Sequence, residues 1–127
     1  MAADPIERWH EIVREGDPAR LETLLAEDVV FLSPVVHTPQ RGKAITTKYL
    51  AAALAVLGGA DLRYVEQWLS ERSAVLEFTT AIDGIEVNGV DIIGWNAEGR
   101  IDRFKVMLRP LKAIEAVRQR MAAALTA

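Results

Sequence analysis

Asp91 stands in an apolar run, Gly89-Val90-Asp91-Ile92-Ile93-Gly94-Trp95, where a carboxyl group calls for a reason. If Asp83-Gly84 is a two-residue hairpin turn, Ile82 pairs with Ile85, Thr80 with Val87, Phe78 with Gly89 and Leu76 with Asp91. Directly paired residues share a face. Asp91 then lies with Leu76, Phe78, Ile82, Val87, Ile93 and Trp95. Desolvation on such a face raises a carboxyl pKa, and a raised pKa is what a general acid or a neutral hydrogen-bond donor needs near pH 7. The competing turn, Asn88-Gly89, sets Asp91 opposite Glu86 and nearer solvent, as an edge carboxylate with no role.

Two histidines offer further chemistry. His37 falls in the Pro34–Gly42 segment, expected at the mouth of a cavity, where an imidazole serves as a base or orients Asp91 or a substrate; a solvent-exposed loop histidine is the plain alternative. His10 follows Trp9 on a helix and has no spaced partner, so it reads as structural. Neither belongs to an HExxH spacing, and no metal site is expected. Ser33 is a polar group for a pocket, but no Gly-x-Ser-x-Gly surrounds it to make it a nucleophile. Gly42-Lys43 lacks the upstream glycines of a phosphate loop. Trp9, Tyr49, Tyr64, Trp68, Phe104 and Met107 read first as packing residues, some of them pocket walls.

The elements that must position these groups change character along the chain. From Asp4 to Gly59 the apolar period is helical. Asp4 caps a helix from Pro5 to Glu15, with Ile6, Trp9 and Val13 on one face. Gly16-Asp17-Pro18 ends it and starts a short helix burying Leu21, Leu24 and Leu25. Val29–Ser33 reads as a first strand, Pro34–Gly42 as a loop and Lys43–Leu57 as a longer helix. Beyond Gly59 the period becomes two, giving strands over Leu62–Leu69, Ser73–Ile82, Ile85–Trp95 and Ile101–Leu108 joined by short antiparallel turns. Pro110 opens a last helix carrying Leu111, Ile114, Val117, Met121 and Leu125. With no repeat or linker, residues 1–127 form a single α+β domain with helices packed on one face of a sheet.

Composition narrows the function. Of 127 residues, half are apolar and 26% charged, with a net charge of −3; that is a globular balance with no basic stripe for nucleic acid. The absence of cysteine excludes disulfides, thiolate metal ligands and a cysteine nucleophile. The start, Met-Ala-Ala-Asp-Pro, lacks the pattern of a signal peptide, and no stretch reaches the roughly 18 apolar residues of a membrane span. A cytoplasmic protein with no membrane partner is expected.

The order of these pieces resembles the NTF2-like superfamily, and within it the SnoaL-like and ketosteroid-isomerase-like domains. The matching stretches are the Trp9 helix ending in Gly16-Asp17, Leu24-Leu25-Ala26-Glu27-Asp28-Val29-Val30-Phe31, Ser33-Pro34-Val35 with Arg41-Gly42, and Gly89 to Trp95 running into Glu98-Gly99-Arg100-Ile101. The resemblance implies a strongly curved, cone-shaped antiparallel sheet packed against three N-terminal helices, with a C-terminal helix. It also implies a cavity for a small hydrophobic molecule, no cofactor, and a homodimer formed through the outer sheet face. Ketosteroid isomerases carry a proton-shuttling aspartate before a proline in the first strand, where Ser33 stands here. They carry an oxyanion-binding tyrosine in the first helix, where Trp9 stands. Asp91 matches their second, protonated aspartate. The paired acids and arginine of limonene-epoxide-hydrolase-like proteins are not found.

Two functions follow as expectations. The first is an isomerase, cyclase or lyase acting by proton transfer, with Asp91 as acid and His37 as its companion. Ser33, Trp9, Phe78 and Trp95 then contact substrate. The second is a non-catalytic ligand-binding or dimerisation module. In either case Val75, Val90 and Ile92, on the opposite face beside Glu77 and Asn88, point to a partner.

Overall fold

Pro5 can start a helix because its missing N–H is one that the first turn leaves unpaired, and Asp4 completes the start by accepting the Ile6 N–H at 2.8 Å. The computed structural model describes residues 4–126; residues 1–3 of the start read above lie outside them. Helix α1 runs Pro5–Glu15 and stops at Gly16, whose φ of 67° is left-handed and whose N–H reaches the Ile12 carbonyl. Ile6, Trp9 and Ile12 are its buried stripe, with Val13 half-buried. A 3₁₀ turn at Pro18–Arg20 leads into a one-turn helix, α2 (Leu21–Leu24). Strand β1 spans Leu25–Leu32, starting four residues before the expected Val29 because Leu25 already pairs with Ile101. The 34–42 loop contains a short strand, β2 (Gln40–Arg41), and α3 follows over Lys43–Leu57.

The rest is the meander that the period of two foretells: β3 (Arg63–Leu69), β4 (Ser73–Ile82), β5 (Ile85–Trp95) and β6 (Ile101–Arg109), then α4 (Leu111–Thr126). The strands form one curved, open sheet in the order β2-β1-β6-β5-β4-β3. Among the described strands, only β1 and β6 run parallel. The concave face wraps α3, and the core is built from α1, α3 and the inward residues of the sheet. A second apolar cluster joins α4, through Ala113, Val117 and Met121, to Ala52, Ile82 and Val87. Among the described residues, no helix is long and apolar enough to cross a membrane.

The hairpin that decides the fate of Asp91 turns at Asp83-Gly84, both with positive φ (52° and 79°), as a two-residue turn with matching right-handed twist requires. Its register pairs Leu76 with Asp91, Phe78 with Gly89 and Thr80 with Val87. The Asn88-Gly89 alternative is not formed. Gly89 has another task. A Cβ there would lie 2.7 Å from the Phe78 ring, 2.6 Å from Leu108 and 2.8 Å from the Met107 carbonyl. Without that Cβ, Phe78 can cross β5 and reach the concave interior. Gly89→Ala therefore forces backbone or ring to shift, and an overpacked core of this kind loses about 1–3 kcal/mol of stability, measurable by urea unfolding.

Candidate functional site

Alternation along β5 turns Asp91 inward, and the sheet carries it beneath α1 and α3 until it is 5% exposed. Around it lie Phe78 of β4, Phe104 and Val106 of β6, Leu50 and Leu54 of α3, and Trp9 of α1, enclosing a small cavity of about 40 Å³. Trp9 meets Phe104 edge-on at 4.8 Å between centroids. A carboxylate in such company has lost its water, and burial pushes the Asp91 pKa up to about 7. The Tyr64 hydroxyl, hydrogen-bonded to the carboxyl, pulls the other way and moderates the rise.

Three side chains form a directional chain. The Trp9 indole Nε1–H donates to the Tyr64 hydroxyl oxygen at 3.0 Å, and that hydroxyl donates to Asp91 Oδ2 at 2.8 Å. Indole nitrogen is a donor only, so Trp9 fixes the direction: the Tyr64 proton faces Asp91. Oδ2 is thereby an acceptor. When the carboxyl is neutral its proton belongs on Oδ1, the oxygen that no protein donor occupies among the described residues. Burial, and secondly the Asp91 charge, hold the Tyr64 phenol well above its usual range, so it stays a donor.

Tyr64 owes its place to a local irregularity. From Glu66 to Leu69, β3 pairs with β4 in the register Glu66–Glu77, Trp68–Val75 and Leu69–Ala74, which continued unbroken would set Tyr64 opposite Thr79 on the convex face. A bulge between Tyr64 and Glu66 shifts the register by one and places Tyr64 opposite Phe78 instead. One extra residue moves a side chain to the other face, and here it delivers a hydroxyl to Asp91.

The sequence profile of the SnoaL-like domain matches residues 6–104. The chain belongs to the SnoaL-like family. It is similar over 96% of its length to a steroid delta-isomerase from Pseudomonas aeruginosa, covering 89% of that chain at 34% identity and a TM-score of 0.91. An uncharacterised protein with a cystatin-like fold from Silicibacter pomeroyi is 32% identical, with 94% of this chain and 83% of that one covered and a TM-score of 0.87. An NTF2-like protein from Mesorhizobium loti, at 22% identity over 84% and 88% with a TM-score of 0.73, shares the fold. No curated protein matches the chain.

In this SnoaL-like domain, Trp9 and Phe78 line the Asp91 cavity, but the other expected site residues do not. His37 and Ser33 line a separate, open groove with Leu32, Lys105 and Met107. The cause is parity: Phe31 points inward against Phe104, so Leu32 and the loop after it face the convex side. The Ser33 hydroxyl is engaged by the N–H groups of Val35 and Val36, at 3.1 and 3.3 Å. Thus His37 is not the companion of Asp91; Tyr64 is. Trp95 packs against the core but does not reach the cavity, because it sits at the far end of β5, past an irregularity between Gly94 and Trp95. No group of three or more metal-ligating side chains converges among the described residues.

The raised pKa makes a stability prediction. Unfolded, Asp91 titrates near 3.9; folded, near 7. Its contribution to stability is greatest below pH 4, falls as pH rises from 4 to 7 while only the unfolded state ionises, and is level above. Asp91→Asn removes that slope. Relative to wild type, the variant should gain about 3–4 kcal/mol between pH 4 and pH 8, read from paired denaturation curves. Tyr64→Phe, which strands the buried Trp9 N–H, should lose about 1–3 kcal/mol at all these pH values.

Proposed function

We propose that this SnoaL-like protein is a cofactor-independent acid–base catalyst of the isomerase or cyclase kind, acting on a small hydrophobic substrate. The observation that carries it is a buried carboxyl whose only protein partner among the described residues is a donor, Tyr64. Asp91, which keeps its proton up to about pH 7, presents its Oδ1 proton to an oxygen of the substrate, such as a carbonyl, and stabilises or protonates the oxyanion that develops there. In a dry cavity such a hydrogen bond strengthens as charge appears on the substrate. Tyr64 and Trp9 are positioning residues: they hold the carboxyl plane and decide which oxygen carries the proton. Phe78, Phe104 and Trp9 supply apolar walls. Proton transfer of this kind needs no redox group or metal. The likeness to a steroid delta-isomerase supports the reaction class.

A second reading is a non-catalytic ligand-binding or dimerisation module; the smallness of the cavity, about 40 Å³, favours its dimerisation form, with the cavity a remnant. An acid catalyst with Asp91 in this role has kcat/KM level at low pH and falling about tenfold per pH unit above 7, and Asp91→Asn lowers turnover by about 10²–10⁴-fold. A binding module keeps its ligand affinity in that variant and shows no turnover in wild type. Substrate screening of both proteins with small cyclic enones across pH 5–9 separates the two.

The convex sheet face supports a homodimer in either case. The register aligns Trp68, Val75 and Ile92 in one row and Val90 with Met107 in the next; Trp68 and Met107 are 50% and 54% exposed. Large apolar groups left in water on a sheet face favour a partner, and a second copy offers the same rows. Met107→Asp should convert the dimer to a monomer in sedimentation velocity while leaving the fold intact.

A further inference from the structure

The wall of the Asp91 cavity is shared with a second space. Val13, Leu62 and Tyr64 line the cavity, and the same three residues line an open basin of about 750 Å³ between the end of α1 and the turn joining α3 to β3. Only Val106 is shared with the groove beneath His37. The basin has the opposite chemistry to the cavity. His10 and Arg14, one helical turn apart on α1, border it. The His10 ring stands edge-on to Tyr64 at 4.8 Å and bonds Gln67 through Nε2 at 3.2 Å. One acid also lines the basin, Glu15, but Arg20 holds it at 2.7 Å. Arg14 enters no ion pair among the described residues. The basin therefore offers an unpaired cation beside an acid already neutralised.

Size and charge link the two spaces. A cavity that holds a benzene ring is about 150 Å³, whereas this one is about 40 Å³, so a ring can enter only if the wall yields. Val13 and Leu62 are half-buried apolar side chains, and their displacement joins the cavity to the basin without stripping water from any charge. An anionic group cannot go inward, since burial beside Asp91 would deny it both water and a counter-charge.

We propose that the basin is the outer half of the ligand site, binding the carboxylate of an amphipathic monocarboxylic acid through Arg14 while its apolar ring or chain is seated against Asp91. This rests on the reading of the Asp91 cavity as a ligand site. Arg14 supplies the charge, and Tyr64 the boundary between the halves.

The test compares 4-phenylbutyrate with its neutral amide, 4-phenylbutanamide, using the Trp9 indole N–H resonance as reporter in wild type and in Arg14→Gln. Arg14 is exposed and outside the Asp91 cluster, so the variant should fold. Wild type should bind the acid more tightly than the amide. Arg14→Gln should weaken the acid by about three- to fivefold, the range of an exposed ion pair, and leave the amide unchanged. An undiminished preference for the acid in Arg14→Gln overturns the basin assignment while the cavity reading stands. If neither probe moves the Trp9 resonance of wild type, both fall.

Discussion

A carboxyl group removed from water is the constraint around which this domain is arranged. Left alone, buried Asp91 would be a liability, because the ionised form has no solvation and the neutral form needs its polar atoms matched. Tyr64 meets part of that need through Oδ2, and Trp9 meets the need of Tyr64. The three residues come from β5, β3 and α1, so the hydrogen-bonded chain can exist only when the hairpins and the first helix are docked together. Packing follows the same lines. Gly89 lets Phe78 cross beneath the site, and Trp9 joins the aromatic set through Phe104.

Direction matters as much as proximity. A donor-only indole keeps the phenol proton away from Trp9, and that proton lies on Asp91 Oδ2. The proton that burial holds on Asp91 up to about pH 7 is then left to Oδ1, on the cavity side. Chemistry of that kind needs no metal or organic cofactor, because the protein supplies a preorganised donor in a water-poor space. The chain is 34% identical to a steroid delta-isomerase across almost its whole length, and the fold is shared.

Much of this was legible in the residues. The change from a helical period to a period of two located the helices and the meander. The Asp83-Gly84 turn carried the register that turns Asp91 inward, since a two-residue turn leaves no freedom in pairing. What escaped was set by events without a residue signature. Tyr64 reads from the sequence as one of a set of packing residues or pocket walls; nothing in Tyr64-Val65-Glu66 announces the β3 bulge that sets its hydroxyl on Asp91. The sequence puts His37 at a cavity mouth and Ser33 among the pocket groups, but it does not say which way the loop after β1 turns; the parity of Leu32 sends both outward. Trp95 shares the parity of Asp91, yet parity alone does not tell how far along a curved sheet a cavity extends.

The central claim is that Asp91 keeps its proton up to about pH 7, held there by burial and moderated by Tyr64. Carboxyl carbon NMR of the native protein, with Asp91→Asn for assignment, measures it directly. The account predicts a titration midpoint near 7. A midpoint near the ordinary aspartate value of about 3.9 would mean that water reaches the carboxylate, and the acid role would be contradicted.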